Sequence, residues 1–191
     1  MKSTLPPHKY LLCYRYAEII HDGTVEFTVK FLDRFKHRRT KEQMDQAARS
    51  GKQNIIEGSH RGLTSKKSEI ELLDVARASL EELTSDYEDF LRQNGFQIWA
   101  KTDMRVSRLR ELGFHLSSLR NLSDLGELLD KLVLPQNPQE AANLMLTFCH
   151  QNSYLLFKFI KSVENQIITN GGYSENLHRR REEFRKKETL C

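Results

Sequence analysis

The stretch 48–62, ARSGKQNIIEGSHRG, sets Asn54 and Glu57 three residues apart, so that on a helix an amide and a carboxylate share one face. Two chemistries fit such a pair. If it is buried, its polar atoms must find hydrogen bonds, and Arg61, Arg77 or the backbone amides of 58–62 are the nearest donors. The pair is then a structural lock at a helix end. A catalytic carboxylate is the alternative, but no serine, cysteine or histidine stands at a spacing that completes a nucleophile, base and orienting group. The lock is the preferred reading, because an unpaired buried charge is costly. No catalytic residue, and no enzymatic activity, is expected.

Metal and cofactor chemistry find no frame. The seven histidines form no H-x-x-x-H pair, and Cys13, Cys149 and Cys191 form no C-x-x-C pair. Gly51-Lys52 lacks the G-x-x-x-x-G-K-[ST] pattern of a phosphate loop and falls inside a helical stretch. No metal and no cofactor are expected.

Charge is the second candidate chemistry. Residues 30–67 hold eleven lysines and arginines against four acids, a net charge of +7, whereas 68–94 hold two against eight, a net charge of −6. Such polarity suits pairing of neighbouring helices or head-to-tail contact between identical subunits. Lys36, Arg38, Arg39 and Lys41, with His37, cluster at a helix–helix corner, and Arg49, Lys52, Arg61, Lys66 and Lys67 follow. A corner that merely faces water is one reading. The other is a phosphate-binding stripe for RNA or DNA, and the lack of an interleaved aromatic set makes that contact backbone-directed and sequence-tolerant. A protein adaptor with no nucleic-acid role is the alternative function.

The tail carries Arg179, Arg180, Arg181, Arg185, Lys186 and Lys187 among four glutamates. It reads as a basic arm that orders on nucleic acid or on a protein, or as a solubilising end. Tyr173, Leu177 and Phe184 point instead to a short amphipathic helix docked on the rest of the chain.

The elements that must position these groups are helical. A chain of 191 residues with 38% hydrophobic and 29% charged residues, four prolines and nine glycines suits one ordinary domain. Leu12, Tyr16, Ile19, Ile20, Phe27, Phe31 and Phe35 predict a helix over about 10–36, although Val25, Phe27, Val29 and Phe31 also alternate as a strand would. Thr40 and Gln43 predict a capping box that opens a helix over 41–58. Its seam is Met44, Ala48, Gly51, Ile55 and Gly58, where the small Gly51 lets a neighbour approach closely. Leu73, Ala76, Leu80, Leu83, Tyr87 and Phe90 mark a third helix from Ser65 to about Asn94-Gly95.

Residues 96–136 break the rhythm and read as a connector with short helices near 105–112 and 123–132. Asn137-Pro138-Gln139-Glu140 opens a last helix that runs to about Thr169, and Gly171-Gly172 ends it. The expected fold is all-α, an antiparallel up-down four-helix bundle over 1–170, with the connector inserted before the last helix and a short tail at 171–191. No apolar run reaches the roughly 20 residues of a membrane span. With three unpatterned cysteines, a cytoplasmic home without membrane contact is expected.

QAARSGKQNIIEGSHRG followed by KSEIELLDVARASLEELTSDYEDFL resembles the four-helix-bundle family of 23S rRNA intervening-sequence proteins and accessory proteins of diversity-generating retroelements. Ala48, Ser50, Asn54, Ile55, Glu57, Gly58 and Arg61, then Ala76, Arg77, Ser79, Leu80, Glu82 and Leu83, carry the likeness. Residues 171–177 with Arg179 to Arg181 resemble the C-terminal suffix of a variant branch. Ile56 stands where that family usually has alanine, and the 96–136 connector is longer than its usual loop. The resemblance implies a non-enzymatic bundle, commonly a homopentameric ring, with a basic surface for nucleic acid. In the retroelement branch such a ring also binds a reverse transcriptase.

Overall fold

The structure, a computed structural model, describes residues 6–33, 35–118 and 133–188. A 3-10 turn, Pro7–Tyr10, precedes α1 (Leu12–Phe31), α2 (Arg38–Arg61), α3 (Lys66–Gln93), α4 (Met104–Ser118), α5 (Pro138–Asn170) and α6 (Tyr173–Glu188). Among the described residues there is no strand, and the chain is all-helical. The expected helix at 123–132 lies outside the described residues.

The ambiguity in α1 is resolved by burial. In a strand Val25, Phe27, Val29 and Phe31 would share one face, but here Phe27 is fully buried while Val25 and Val29 face solvent. Phe27 and Phe31, four apart, pack their rings together instead, tilted at 54° with centroids 5.1 Å apart. The helix stops at Phe31 rather than 36, because the Asp33 carboxylate accepts from the amides of Phe35 (2.9 Å) and Lys36 (2.7 Å) and holds a turn. That turn carries the chain into α2 early. The helix starts at Arg38 with His37 as its N-cap, so the capping box of Thr40 and Gln43 does not form. It also continues to Arg61, three residues past 58.

Other ends follow their caps. Ser65 Oγ accepts from the Ser68 amide at 3.2 Å, and Asn137 Oδ1 accepts from the amides of Gln139 (2.9 Å) and Glu140 (3.2 Å). Gly171 closes α5 at φ +72°, a conformation glycine adopts without strain.

Helix pairs α1–α2, α2–α3, α3–α5 and α5–α1 pack against each other in a closed circuit, with α4 laid on α5 and α1. Tyr16, Ile20, Phe27, Met44, Ile55, Leu73, Leu83, Tyr87, Phe148 and Leu156 fill its centre at 1% exposure or less. Each such side chain contributes about 1.5–3 kcal/mol. On the α2–α3 seam, a Cβ on Gly51 would lie 3.6 Å from the Ala76 carbonyl and one on Gly58 3.4 Å from that of Glu69. Both helices advance by seven between the two contacts, in opposite directions, as an antiparallel heptad seam requires. These are ordinary contact distances, so the seam is tight without demanding glycine at 51. Hydroxyls fix the register: Ser50 meets Ser79 at 2.9 Å, and Tyr87 donates to Thr24 at 3.0 Å in the core.

Candidate nucleic-acid interface

Asn54 and Glu57 do not form the expected lock. Glu57 faces solvent and accepts from Gln53 at 3.3 Å, while Asn54 donates to the Ser50 carbonyl at 2.9 Å, one turn back in its own helix. Arg77 likewise stays on its own helix, beside Asp74 (3.3 Å) and Glu81 (3.7 Å). The buried carboxylate at this corner is Glu69, paired with Lys66 Nζ at 2.7 Å and pressed against Gly62. Its position was readable: Glu69 extends the seam of Leu73, Ala76, Leu80, Leu83 and Tyr87 by one step of four.

The cations separate into two groups. Lys41 donates to Thr28 Oγ1 (2.7 Å) and Asp45 (3.0 Å), Lys52 meets His21 Nδ1 at 3.0 Å, and Lys66 holds Glu69. These three are engaged within the structure. Arg38, Arg39, Arg49 and Arg61 instead stand exposed on the solvent face of α2. Arg38 pairs with Glu42 at 2.9 Å; Arg39, Arg49 and Arg61 have no acidic partner among the described residues. At 1.5 Å per residue the stripe runs about 35 Å along the helix. Lys36 is exposed at its start, and Lys67 is exposed beyond its end, 3.9 Å from Glu71.

One aromatic does stand among these cations. Phe35 is 90% exposed, held out by the Asp33 turn directly before Lys36, Arg38 and Arg39. The same two amides, Lys36 first and Phe35 second, hold the Asp33 carboxyl below its usual range. Phe35 counts as a core position in a helical pattern carried through to 36, and only the early end of α1 turns it outward. On α5, Tyr154 and Phe157 are also exposed, with Lys158 and Lys161 over their rings at 5.7 and 5.9 Å. The cations of 36–67 carry no interleaved aromatic set, as expected; Phe35 stands singly at their start, and Tyr154 and Phe157 lie on a different helix.

Arg179, Arg180, Arg181 and Arg185 lie on α6, all exposed. Arg179 donates to Asn176 Oδ1 at 2.7 Å. The tail is helical, as its apolar spacing implied; among the described residues α6 meets the rest of the fold only at its start, where Tyr173 and Asn176 lie beside the α2–α3 turn.

Among the described residues no group of three or more His, Cys, Asp or Glu is arranged to hold a metal ion. No helix among them is long and apolar enough to cross a membrane. Compared with known proteins, the chain matches no family model, no curated protein and no solved structure.

Proposed function

We propose that this protein is a non-enzymatic accessory protein that binds nucleic acid through the outer face of α2, by phosphate contacts that are largely indifferent to sequence. The carrying observation is the stripe of Arg39, Arg49 and Arg61, exposed and without acidic partners among the described residues. Guanidinium groups recognise phosphate oxygens in paired hydrogen bonds, and spread over about 35 Å of helix they follow a strand rather than a single phosphate. Phe35 at the end of the stripe favours a single-stranded segment, since every base offers a face to stack and the contact stays sequence-tolerant.

The closed circuit of helix pairs supports an antiparallel up-down four-helix bundle as the scaffold. Assembly from identical copies, as a pentamer by the resemblance, and a cytoplasmic setting belong to the same proposal. So does assistance to a reverse transcriptase or another nucleic-acid enzyme.

Fluorescence anisotropy with a labelled single-stranded RNA, its DNA equivalent and a duplex tests this reading. Arg39→Glu/Arg49→Glu/Arg61→Glu should weaken every probe and lower the slope of log K against log salt by about 2, near 0.7 for each lost single-strand phosphate contact. Phe35→Ala should weaken the single strands alone, by about 1–3 kcal/mol. Unchanged binding in the triple variant would sink the proposal.

A further inference from the structure

The helix α6 is left over when the fold is assembled. It has 16 residues and is exposed along most of its length. A helix of that length is marginal in water without packing. Yet its surface is patterned for packing: Tyr173, Leu177, Arg180 and Phe184 step by four, three and four, a narrow seam with Arg181 beside it. Tyr173 and Phe184 are each about three-fifths exposed. The corner before it is fixed, because Asn176 Nδ2 donates to the carbonyls of Asn170 (3.0 Å) and Gly171 (3.3 Å), and the Gly172 amide donates to Glu175 at 2.9 Å.

A complementary surface exists on α3. On its solvent side Glu71, Val75, Ala78, Glu82, Ser85 and Asp89 step by four, three, four, three and four, which is again a heptad stripe. Val75 and Ala78 are exposed at its middle, and Glu82 and Asp86 have no cationic partner among the described residues. These two acids line an open groove between α2 and α3 together with Ser50, Ser85 and Arg39. Burial, then Asp89 and Glu82 beside it, pushes the Asp86 carboxyl up, so an arriving cation would relieve the site.

We propose that α6 is a docking arm that seats on the acidic outer face of α3 in a second copy of this chain. Arg180 meets Glu82 and Arg181 faces the neighbouring Glu81, Asp86 lies one turn further along in the same negative field, and Leu177 and Phe184 cover Ser85 and Ala78 between the acids. With Arg180 opposite Glu82 in an antiparallel pairing, Phe184 falls over Ala78 and Tyr173 beside Asp89. Lengths agree: α6 is about 24 Å long, and the stripe from Glu71 to Asp89 is about 27 Å. The fixed corner at 170–176 and the lack of packing against the other helices among the described residues direct the arm outward, to another copy. This goes beyond phosphate binding by α2 and does not depend on it.

Charge exchange tests it in the full-length, nuclease-treated protein, by light scattering behind size exclusion at low and high salt. The unsubstituted chain should self-associate at low salt and dissociate as salt rises. Arg180→Glu/Arg181→Glu and Glu82→Arg/Asp86→Arg should each weaken self-association at least tenfold with helicity by circular dichroism retained. Mixing the two variants should restore association, since each arm then faces a stripe of opposite charge. A monomeric unsubstituted chain, association indifferent to the arm variant, or no restoration in the mixture would each overturn the proposal. So would an arm variant that loses RNA or DNA affinity while keeping its self-association, which would place the arm on a polyanion. Because the arm variant leaves the α2 stripe and its groove untouched, its failure leaves the phosphate-binding reading to be judged by its own experiment.

Discussion

The carboxylate of Glu69 lies directly against Gly62, so that any side chain on residue 62 would occupy the space the carboxylate fills. Lys66 closes the arrangement with an ion pair of 2.7 Å, and Glu69 is almost fully withdrawn from water. The α2–α3 turn is therefore built around a buried acid. A methyl on Gly62 would push that carboxylate out of its buried ion pair with Lys66, so Gly62→Ala should destabilise the fold by about 1–3 kcal/mol. Glu57→Gln, on the solvent face four residues before Arg61, should stay within about 0.5 kcal/mol. Urea denaturation of the two variants decides the point; equal effects would return the lock to Glu57.

Two other glycines should behave in opposite ways. A methyl on Gly51 would sit 3.6 Å from the Ala76 carbonyl and 3.7 Å from Leu80, room enough for alanine. Gly51→Ala should then raise stability by about 0.5–1 kcal/mol, through the better helix propensity of alanine. At Gly113 the same methyl would lie 2.9 Å from Phe148, Gln151 and the Tyr16 hydroxyl, where α4 crosses α5 and α1. Phe148 and Tyr16 are locked in the core, so Gly113→Ala should cost about 1–3 kcal/mol. Thermal melts that rank the two variants the other way would contradict this packing.

Much of the helix layout was legible because apolar spacing and caps agreed. Ser65, Asn137 and Gly171 mark ends that the structure keeps, and Tyr16, Ile20 and Phe27 identify the buried side of α1. Thr40 misled because helix starts are competitive: the Asp33 turn delivers a helical backbone at Arg38, two residues before the hydroxyl that was to cap it. Asn54 and Glu57 misled for a different reason. Each immediately precedes a seam residue, Ile55 and Gly58, and one residue of helix is a turn of about 100°, enough to carry a side chain off the buried face. Nor could composition sort the cations. Lys41, Lys52 and Lys66 are consumed by partners on other turns or helices, and only the assembled fold leaves Arg39, Arg49 and Arg61 exposed and without an acidic partner among the described residues.

The buried thiols should be inert. Burial pushes Cys13 and Cys149 up to about 12, which leaves almost no thiolate at neutral pH. A maleimide or disulfide reagent at pH 8 should leave both unmodified in the native protein and label both in urea, as mass spectrometry of the peptides would show. Rapid native labelling of Cys149 would mean that α5 opens locally at its centre.

Acid should loosen the attachment of the N-terminal turn. His8 is buried between Tyr14 of α1, 4.7 Å away edge to face, and His60 of α2, stacked at 5.6 Å, and its Nδ1 has no hydrogen-bond partner. Burial first, then the charges of Lys9 and His60, lowers its pKa, against an opposing pull from Glu18. The folded protein therefore keeps His8 neutral where the unfolded chain, near the ordinary value of 6.5, begins to take up a proton. Stability contributed this way is complete above that value and is lost as pH falls from it toward the lower folded pKa. Melting temperature should drop between pH 7.5 and 5.5, and His8→Phe, which retains a ring against Tyr14 and His60 without a titrating nitrogen, should flatten that drop. A pH profile identical in both proteins would remove His8 as its source and place the acid sensitivity on another group.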